Sequence, residues 1–527
     1  MKGTKRAMLG AAMLALAASA APASAQDAES IVKARCASCH ERLPDGSINR
    51  ISHQRKTPEG WAMTIFRMTQ IHGVQVTPEE TQTLVRWLAD NQGLAPEESA
   101  PYRYVLERQP AAVETPVTEG DLQTMCARCH SFARIGLQHR DAPEWRKLAH
   151  FHLGQWPTLE YQALGRDRKW WEIASTEVPE HLGKMLPLKT KEWDAWKGAA
   201  KPDLSGTWAV SGHRPGKGAY GGTVTVTRKG DGYSATYDFT DAAGHAFKGT
   251  GTSVVYTGYE WRGTATLGNE TWQEVLAASK DGTRISGRSF LAGHDETGAV
   301  VEGVKTKPGT AVISGVSRTH LKAGETARIT VWGAGLSGNV GFGPGIAAKV
   351  VSQSPTAIVV DATAEAGASV GARTVTVGTA TAAGPVVYTA VDSVKVEPDY
   401  AIARVGGNGG PVAPVVAQFE AVGYLNGPDG QPGTADDVRL GALPADWSLE
   451  PFNEAAQQMD DLKFAGAIDK NGLFTPAAAG PNPARVFGTN NVGDLKVVAA
   501  VKDGSRAVKG EGHLIATVQR WNDPPIR

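Results

Sequence analysis

Cysteine is scarce: the chain has four in 527 residues. All four fall inside two Cys-x-x-Cys-His strings, Cys36–His40 and Cys126–His130, so none is left for a structural disulfide. In an exported protein an even count ordinarily reads as a disulfide framework. Here the remainder must hold together by burial, which a domain of about 100 residues can do. Excess charge of either sign is also missing, with 54 basic and 54 acidic residues. That removes the electrostatic signature of a nucleic-acid binder or a polybasic membrane patch, so neither nucleic acid nor membrane is expected as a partner. Aromatic residues make up only 7% of the chain while Gly reaches 61, a balance that fits turns and short strands. Past the amino-terminal segment, no stretch approaches the roughly 18 consecutive apolar residues of a membrane helix.

Residues 1–25 read as an export signal. Lys2, Lys5 and Arg6 form a positive start, an Ala/Leu/Met-rich run follows, and Ala23-Ser24-Ala25 supplies the small-x-small cleavage pattern. The expected location is therefore the periplasm. What remains has the length of three or four domains of roughly 100–200 residues each.

In Cys-x-x-Cys-His the two thiols sit on one helical turn and can add to the two vinyl groups of a haem, and the adjacent His is the proximal iron ligand. A thioredoxin-like redox pair would need a βαβ pattern, and a zinc site a second Cys pair; neither is present around either motif. Two covalently bound haems are expected, on Cys36, Cys39 and His40 and on Cys126, Cys129 and His130. The surroundings repeat. Each motif is followed by a polar loop and then a helix opening with Pro58-Glu59-Gly60-Trp61 or Pro143-Glu144-Trp145. Thr77-Pro78-Glu79-Glu80 reads as a capping box with Pro at the first helical position. Leu84, Val85 and Leu88 give the apolar face of the helix it starts.

The second axial ligand must come from the helix across each haem. Seven residues past Trp61 stands Met68, and seven past Trp145 stands His152, so the expected pairs are His40/Met68 and His130/His152. Rivals are Met63 and His72 for the first site, and His150, Met125 or Met185 for the second. The bland reading makes Met68 core packing and His152 a surface residue.

From about residue 203 helical periodicity stops, and Gly, Thr and Val alternate in short runs. Thr223–Thr227, the turn Lys229–Gly232 and Tyr233–Phe239 read as a hairpin. Leu204-Ser205-Gly206-Thr207-Trp208 is reminiscent of lipocalin-like barrels, where a ligand cavity competes with the plainer reading of an interior filled by side chains. Ala327–Trp332, Ala357–Asp361 and Arg373–Val377 alternate as half-buried strands of an immunoglobulin-like sandwich, and Ile468–Thr475 reads as a hairpin of a second one. The loop Asp429–Asp437 clusters carboxylates and glycines; calcium there competes with the plainer reading of a solvated turn. No nucleophile–base pair or phosphate loop stands out in the β units, so no catalytic residue is assigned.

The expected fold class is thus multidomain: an all-α di-haem cytochrome c domain followed by all-β domains. The expected divisions are a signal peptide over 1–25 and a di-haem domain over 26–200, itself two units at about 26–100 and 115–200. A lipocalin-like barrel over 203–309 and sandwiches over 310–395 and 396–527 complete the chain.

This order resembles the large (alpha) subunit of bacterial quinohaemoprotein amine dehydrogenase. The resemblance is carried by Arg35–His40, Arg55–Trp61, Met125–His130, Leu204–Trp208 and Asn426–Gly430. It implies a heterotrimer. A small partner subunit would carry a cysteine tryptophylquinone that oxidises primary amines, and a β-propeller subunit would complete the complex. The haems of this chain would take electrons from the reduced quinone and pass them to azurin or a small cytochrome c. Competing readings are a di-haem subunit of another periplasmic dehydrogenase, a di-haem peroxidase with one accessible iron, and a cell-surface protein whose β modules do the work.

Overall fold

Thr57 and Thr77, each followed by Pro, start the longest helices of the described chain. The structure is a computed structural model that describes residues 25–117, 119–127, 130–154, 167–407 and 412–519. In helix α2 (Pro58–His72) the Thr57 side chain accepts from Gly60 N, and the helix ends on Gly73 in the left-handed region (φ 68°). In α3 (Pro78–Gln92) Thr77 and Glu80 exchange side-chain and backbone hydrogen bonds in the capping box the sequence predicts. Around these lie α1 (Ala25–Ile31), α4 (Pro96–Ser99), α5 (Leu122–Met125), α6 (Ala133–Gly136) and α7 (Ala142–Leu153). Further helices occupy Trp170–Ser175, Glu177–Met185 and Lys191–Gly198.

The expectation of an all-α domain at the amino-terminal end is wrong. The chain is 43% strand and 23% helix, its helices are short, and no large all-α domain exists among the described residues. Even α2 and α3 have only 15 residues each. The helical segments are further tied by a small sheet, in which β1 (Gln54–Lys56) pairs antiparallel with β2 (Gln138–Arg140). The physical reason lies in how little each helix can bury. One half shares a cluster of Val32, Ile48, Trp61, Ile65, Leu84, Val85 and Leu88; the other gathers around Leu122, Met125, Phe132, Trp145 and Leu182. Periodicity is read over local windows, and it cannot detect a strand pair formed across more than 80 residues of chain.

Downstream, eight strands close a barrel: β3 (Gly206–Arg214), β4 (Gly218–Lys229), β5 (Gly232–Asp241), β6 (Ala246–Tyr256), β7 (Glu260–Leu267), β8 (Glu270–Ala278), β9 (Arg284–Leu291) and β10 (His294–Lys305). Closure comes from β10 pairing back on β3, which leaves no free edge. The interior is filled by side chains, among them Trp208, Val224, Tyr237, Phe239, Trp261 and Leu276.

Beyond the barrel, the sheets Val312–Val316/Thr326–Ala334/Ala357–Ala364/Ile346–Ser354 and His320–Lys322/Ala380–Tyr388/Gly371–Val377/Val340–Gly341 share one core. Ile329, Val331, Phe342, Ile358, Val360 and Val375 lie wholly inside it. A last unit packs three smaller sheets around Phe419, Phe474, Leu495, Val497 and Leu514.

The helical region is seated on the barrel through the turn between β6 and β7. Thr257 donates its N–H to Asp90 (2.7 Å) and its hydroxyl to the Ala89 carbonyl (3.2 Å), and Trp196 donates to the Thr257 carbonyl (2.9 Å). Tyr259, fully buried, reaches Ser99 and the Leu94 carbonyl. Arg262 lies between Glu59, on the first turn of α2, and Glu260, at 3.3 and 3.6 Å.

Within the helical region, Arg55 gathers the most remote segments. This side chain, 1% exposed, forks onto both oxygens of Glu98 (2.7 and 2.8 Å) and donates to the carbonyls of Leu188 and Gly93 and to Thr190. Burial raises the Glu98 carboxyl, but the Arg55 hydrogen bond, His139 and Thr190 together bring it below its ordinary value.

Removing Arg55 leaves a buried carboxylate without its cation. Arg55→Ala is expected to lower the unfolding free energy of the helical region by roughly 3–5 kcal/mol. Urea unfolding of the full chain reads this, and a loss below about 1 kcal/mol would mean that Glu98 is solvated after all.

Glu260 generates a pH prediction. Burial pushes its carboxyl up to about 8, against Arg262 and with help from Glu59. That lies above the unfolded value of about 4.3, so the stability it contributes is complete below that pH and lost as pH rises through about 8. Glu260→Gln should therefore leave thermal stability unchanged near pH 4 and raise it near pH 8, both values approximate. An equal Tm difference at the two pH values would refute the assignment.

Candidate functional site

The first Cys-x-x-Cys-His string begins where a π-helical turn, Val32–Cys36, ends. Cys39 N and His40 N both donate to the Cys36 carbonyl (3.1 and 2.9 Å), which folds the string into a single turn. Cys36 is half-buried against the core of this half, and Cys39 is exposed. Both thiols are free. Burial, and secondarily Cys39, raise the Cys36 thiol above its ordinary value. The His40 Nδ1 lies 3.1 Å from the Asn49 carbonyl. Donation there fixes the tautomer and leaves the Nε2 lone pair for a metal.

Met68 is half-buried on α2, three residues after Ile65, which packs in the same cluster as Cys36. Residues three apart share a helix face, so Met68 lies on the side turned towards that half's motif. Met63 is off that face; His72 is on it but exposed in the last turn.

In the second half Cys126 is half-buried and Cys129 lies outside the described residues. The His130 Nδ1 is 3.0 Å from the Ser131 carbonyl, and the His152 Nδ1 is 2.7 Å from the Leu148 carbonyl. Both imidazoles again keep Nε2 open. Burial is the main cause that lowers the pKa of each, and His152 is close enough to contribute to the shift of His130. His150, two positions away on α7, turns edge-on to Trp171 (5.0 Å) and lines a separate cleft of about 460 Å³ with Arg50, Pro143 and Phe151. Met125 and Met185 pack in or against the core of this half.

The residues fit a haem. Free thiols and imidazoles with an unengaged Nε2 are the donor set that such a group takes. Phe66, Ile71 and Leu153 add an observation from the surface. These large apolar side chains on α2 and α7 remain 49%, 49% and 48% exposed, close in sequence to Met68 and His152. An apolar macrocycle is the kind of surface they would cover.

Sequence reasoning overlooked a group of cations around the same site: Lys56, Arg67, Arg134 and Arg140. A signal was available in the repeat Gln54-Arg55-Lys56 and Gln138-His139-Arg140, one basic strand before each ligand-bearing helix. In the Asp429–Asp437 loop the carboxylates are engaged locally, Asp429 with Gln431 N (2.7 Å) and Asp437 with Gly433 N (2.7 Å). Among the described residues no cluster of His, Cys, Asp and Glu is arranged to hold a metal ion, and no helix is long and apolar enough to cross a membrane.

Two thiol–imidazole strings, each entered from a short helical segment, ahead of a closed barrel and further β units, define a multidomain protein with an amino-terminal haem-binding region. Family models match nearly the whole length in order. "Quinohemoprotein amine dehydrogenase A, alpha subunit, haem binding" matches residues 26–193. Domains II, III and IV of the same alpha subunit match 201–306, 309–389 and 394–526. The chain belongs to the quinohemoprotein amine dehydrogenase alpha-subunit family, and as an alpha subunit it is one of several in an oxidoreductase complex.

No curated protein matches the chain. Similar solved structures include a de novo designed fluorescence-activating β-barrel at 19% identity, covering 19% of this chain and 93% of that one with a TM-score of 0.17. Mouse clustered PcdhgC3 EC1-3 is 12% identical over 45% of this chain and 77% of that one, with a TM-score of 0.17. The gamma-CGTase of Alkalophilic bacillus clarkii is 12% identical over 57% and 41%, with a TM-score of 0.14. At those scores none carries an argument.

Proposed function

We propose that this chain is the di-haem electron-transfer subunit of a periplasmic amine dehydrogenase. One observation carries the reading: two Cys-x-x-Cys-His strings, each followed by a helix that carries Met68 or His152 seven residues past a buried Trp. Cys36 and Cys39 would hold one haem through thioethers, and Cys126 and Cys129 the other. His40 and His130 keep Nδ1 on backbone carbonyls and would present Nε2 as proximal ligands. Met68 and His152 would complete the two coordination spheres. When bound, each haem supplies reversible one-electron exchange between Fe(III) and Fe(II). A thioether favours Fe(II) more than an imidazole does, so the ligand difference gives the Met68 site the higher potential. It thereby directs electrons from the His130/His152 side towards the His40/Met68 side.

Primary amines would be oxidised on a partner that carries cysteine tryptophylquinone, with a β-propeller subunit completing a heterotrimer. Azurin or a small cytochrome c would remove the electrons. Family membership supports this assignment. The periplasmic location rests on the amino-terminal leader, whose first 24 residues lie outside the described residues.

The test begins with the native complex under anaerobic conditions. Adding a simple primary amine should reduce both haems, seen in their absorbance. Haems that stay oxidised with amine yet accept electrons from dithionite would assign the chain to a different dehydrogenase.

Ligand assignment has its own test. Met68→Ala should convert the first haem to a high-spin, CO-binding form, and His152→Ala should do so at the second. Met63→Ala and His150→Ala should leave both spectra unchanged. High-spin conversion in either of these last variants would move the ligand to the rival position.

A further inference from the structure

Between the two halves of the haem-binding region lies an excess of buried positive charge. Lys56 and Arg140 are 4% and 3% exposed, one on β1 and the other on the paired β2. Among the described residues the groups that Lys56 Nζ touches are neutral, the Thr64 hydroxyl (2.6 Å) and the Trp61 ring (5.1 Å). Arg140 lies over Trp145, donates one bond to Gln138, and has a buried Nε with no hydrogen-bond partner. Arg67, half-buried on α2, lies over the Phe151 ring of α7 (5.8 Å), and Arg134 is half-buried on α6. Among the described residues neither Arg67 nor Arg134 forms an ion pair with a carboxylate.

The acidic groups nearby are already engaged. Glu144, 1% exposed, is shared by Lys147 (2.6 Å), Arg50 (3.4 Å) and Arg140 (4.0 Å). Asp141 caps α7 and faces His53 (3.1 Å). Burial is the first cause that lowers Lys56, Arg67, Arg134 and Arg140, and mutual repulsion within the group adds to it for Lys56, Arg134 and Arg140. Holding several like charges out of water costs several kcal/mol per ion, by order of magnitude, unless an anion joins them.

Two of the cations also stand next to the candidate ligands: Arg67 lies over the ring of Phe151, which directly precedes His152, and Arg134 follows His130 by four residues. Arg67 directly precedes Met68, so the cluster reaches from one ligand set to the other.

We propose that Arg67, Arg134 and Arg140, backed by Lys56, form a carboxylate-binding site for the propionates of the haem held between His130 and His152. The proposal rests on the di-haem reading above and adds how the chain receives the anionic edge of that group. Arg67 comes from the first half and would serve the haem of the second, so binding also joins the two halves. Guanidinium forks suit this role because they meet carboxylates through two parallel hydrogen bonds. Positive charge held there favours the reduced iron, whose complex carries one more negative charge.

The experiment uses the full chain with its haems, first quantified by pyridine haemochrome. Fewer than two haems per chain at that stage would refute the di-haem reading itself. With two present, Arg67→Gln, Arg134→Gln and the double variant are compared with wild type by spectropotentiometry across pH. The expected result is a lower potential at the second haem, largest in the double variant. That potential should also gain a dependence on pH as the freed carboxylates titrate, and Arg67→Lys should restore most of the wild-type value. Unchanged potentials in the double variant would overturn the proposal. So would a wild-type potential that moves when inorganic phosphate is added, because the anion would then come from solution. If Arg67→Gln lost the haem, recovery in Arg67→Lys would support the site, and loss in both would reduce Arg67 to a folding role.

Discussion

A guanidinium taken almost wholly out of water can persist only where several acceptors converge on it, and Arg55 is such a group. Its partners come from two stretches of chain: the Gly93 carbonyl and Glu98 from one, and the Leu188 carbonyl and Thr190 from the other. Glu98 in turn accepts from Ala95 N, capping α4, and from Thr190. His139, paired opposite Arg55 in the small sheet, lies 3.7 Å from the same carboxylate. Because each half of this region has only a small apolar cluster, the ionic joint sets how the halves meet. The position of the helices that carry Met68 and His152 follows from it, since β1 runs directly into α2 and β2 into α7.

The barrel gives this arrangement a rigid base. A closed sheet has no edge to slip, and the helices dock on its outer turn Tyr256–Glu260 and on Arg262, Ser286 and Arg288 of its strands. The docking contacts are largely polar and specific: Asp90 and Ala89 with Thr257, and Ser99 with Tyr259. On its other side the barrel holds the following β unit, where Trp332 donates to Thr240 (3.0 Å) and Ser211 to the Ser314 carbonyl (2.7 Å). The haem-binding region is thereby held against a long β scaffold.

Local chemistry was legible in the sequence wherever it acts over a few residues. The Thr77 capping box, the Pro58 and Pro143 helix starts and the turn at Lys229–Gly232 depend on neighbouring side chains and backbone angles alone. The two Cys-x-x-Cys-His strings are legible for the same reason. The reading failed on the extent of helix. Amphipathic windows such as those after Trp61 and Trp145 were extended into a single all-α domain, although each ends within four turns and the intervening chain returns as strand. The basic cluster was missed because Lys56, Arg67, Arg134 and Arg140 are spread over more than 80 residues, and each alone reads as a solvated charge.

By itself, then, the sequence determined the chemistry of the thiol and imidazole strings, the register of Met68 and His152 behind Trp61 and Trp145, and the alternation of the β strands. These follow from covalent spacing and from periods of a few residues, and no distant partner is needed to read them. Tertiary structure alone decided that β1 pairs with β2, that Arg55 meets Glu98 and Thr190, and that Arg67 from one half stands over Phe151 of the other. Those outcomes depend on which distant groups can bury together and still satisfy their charges and hydrogen bonds.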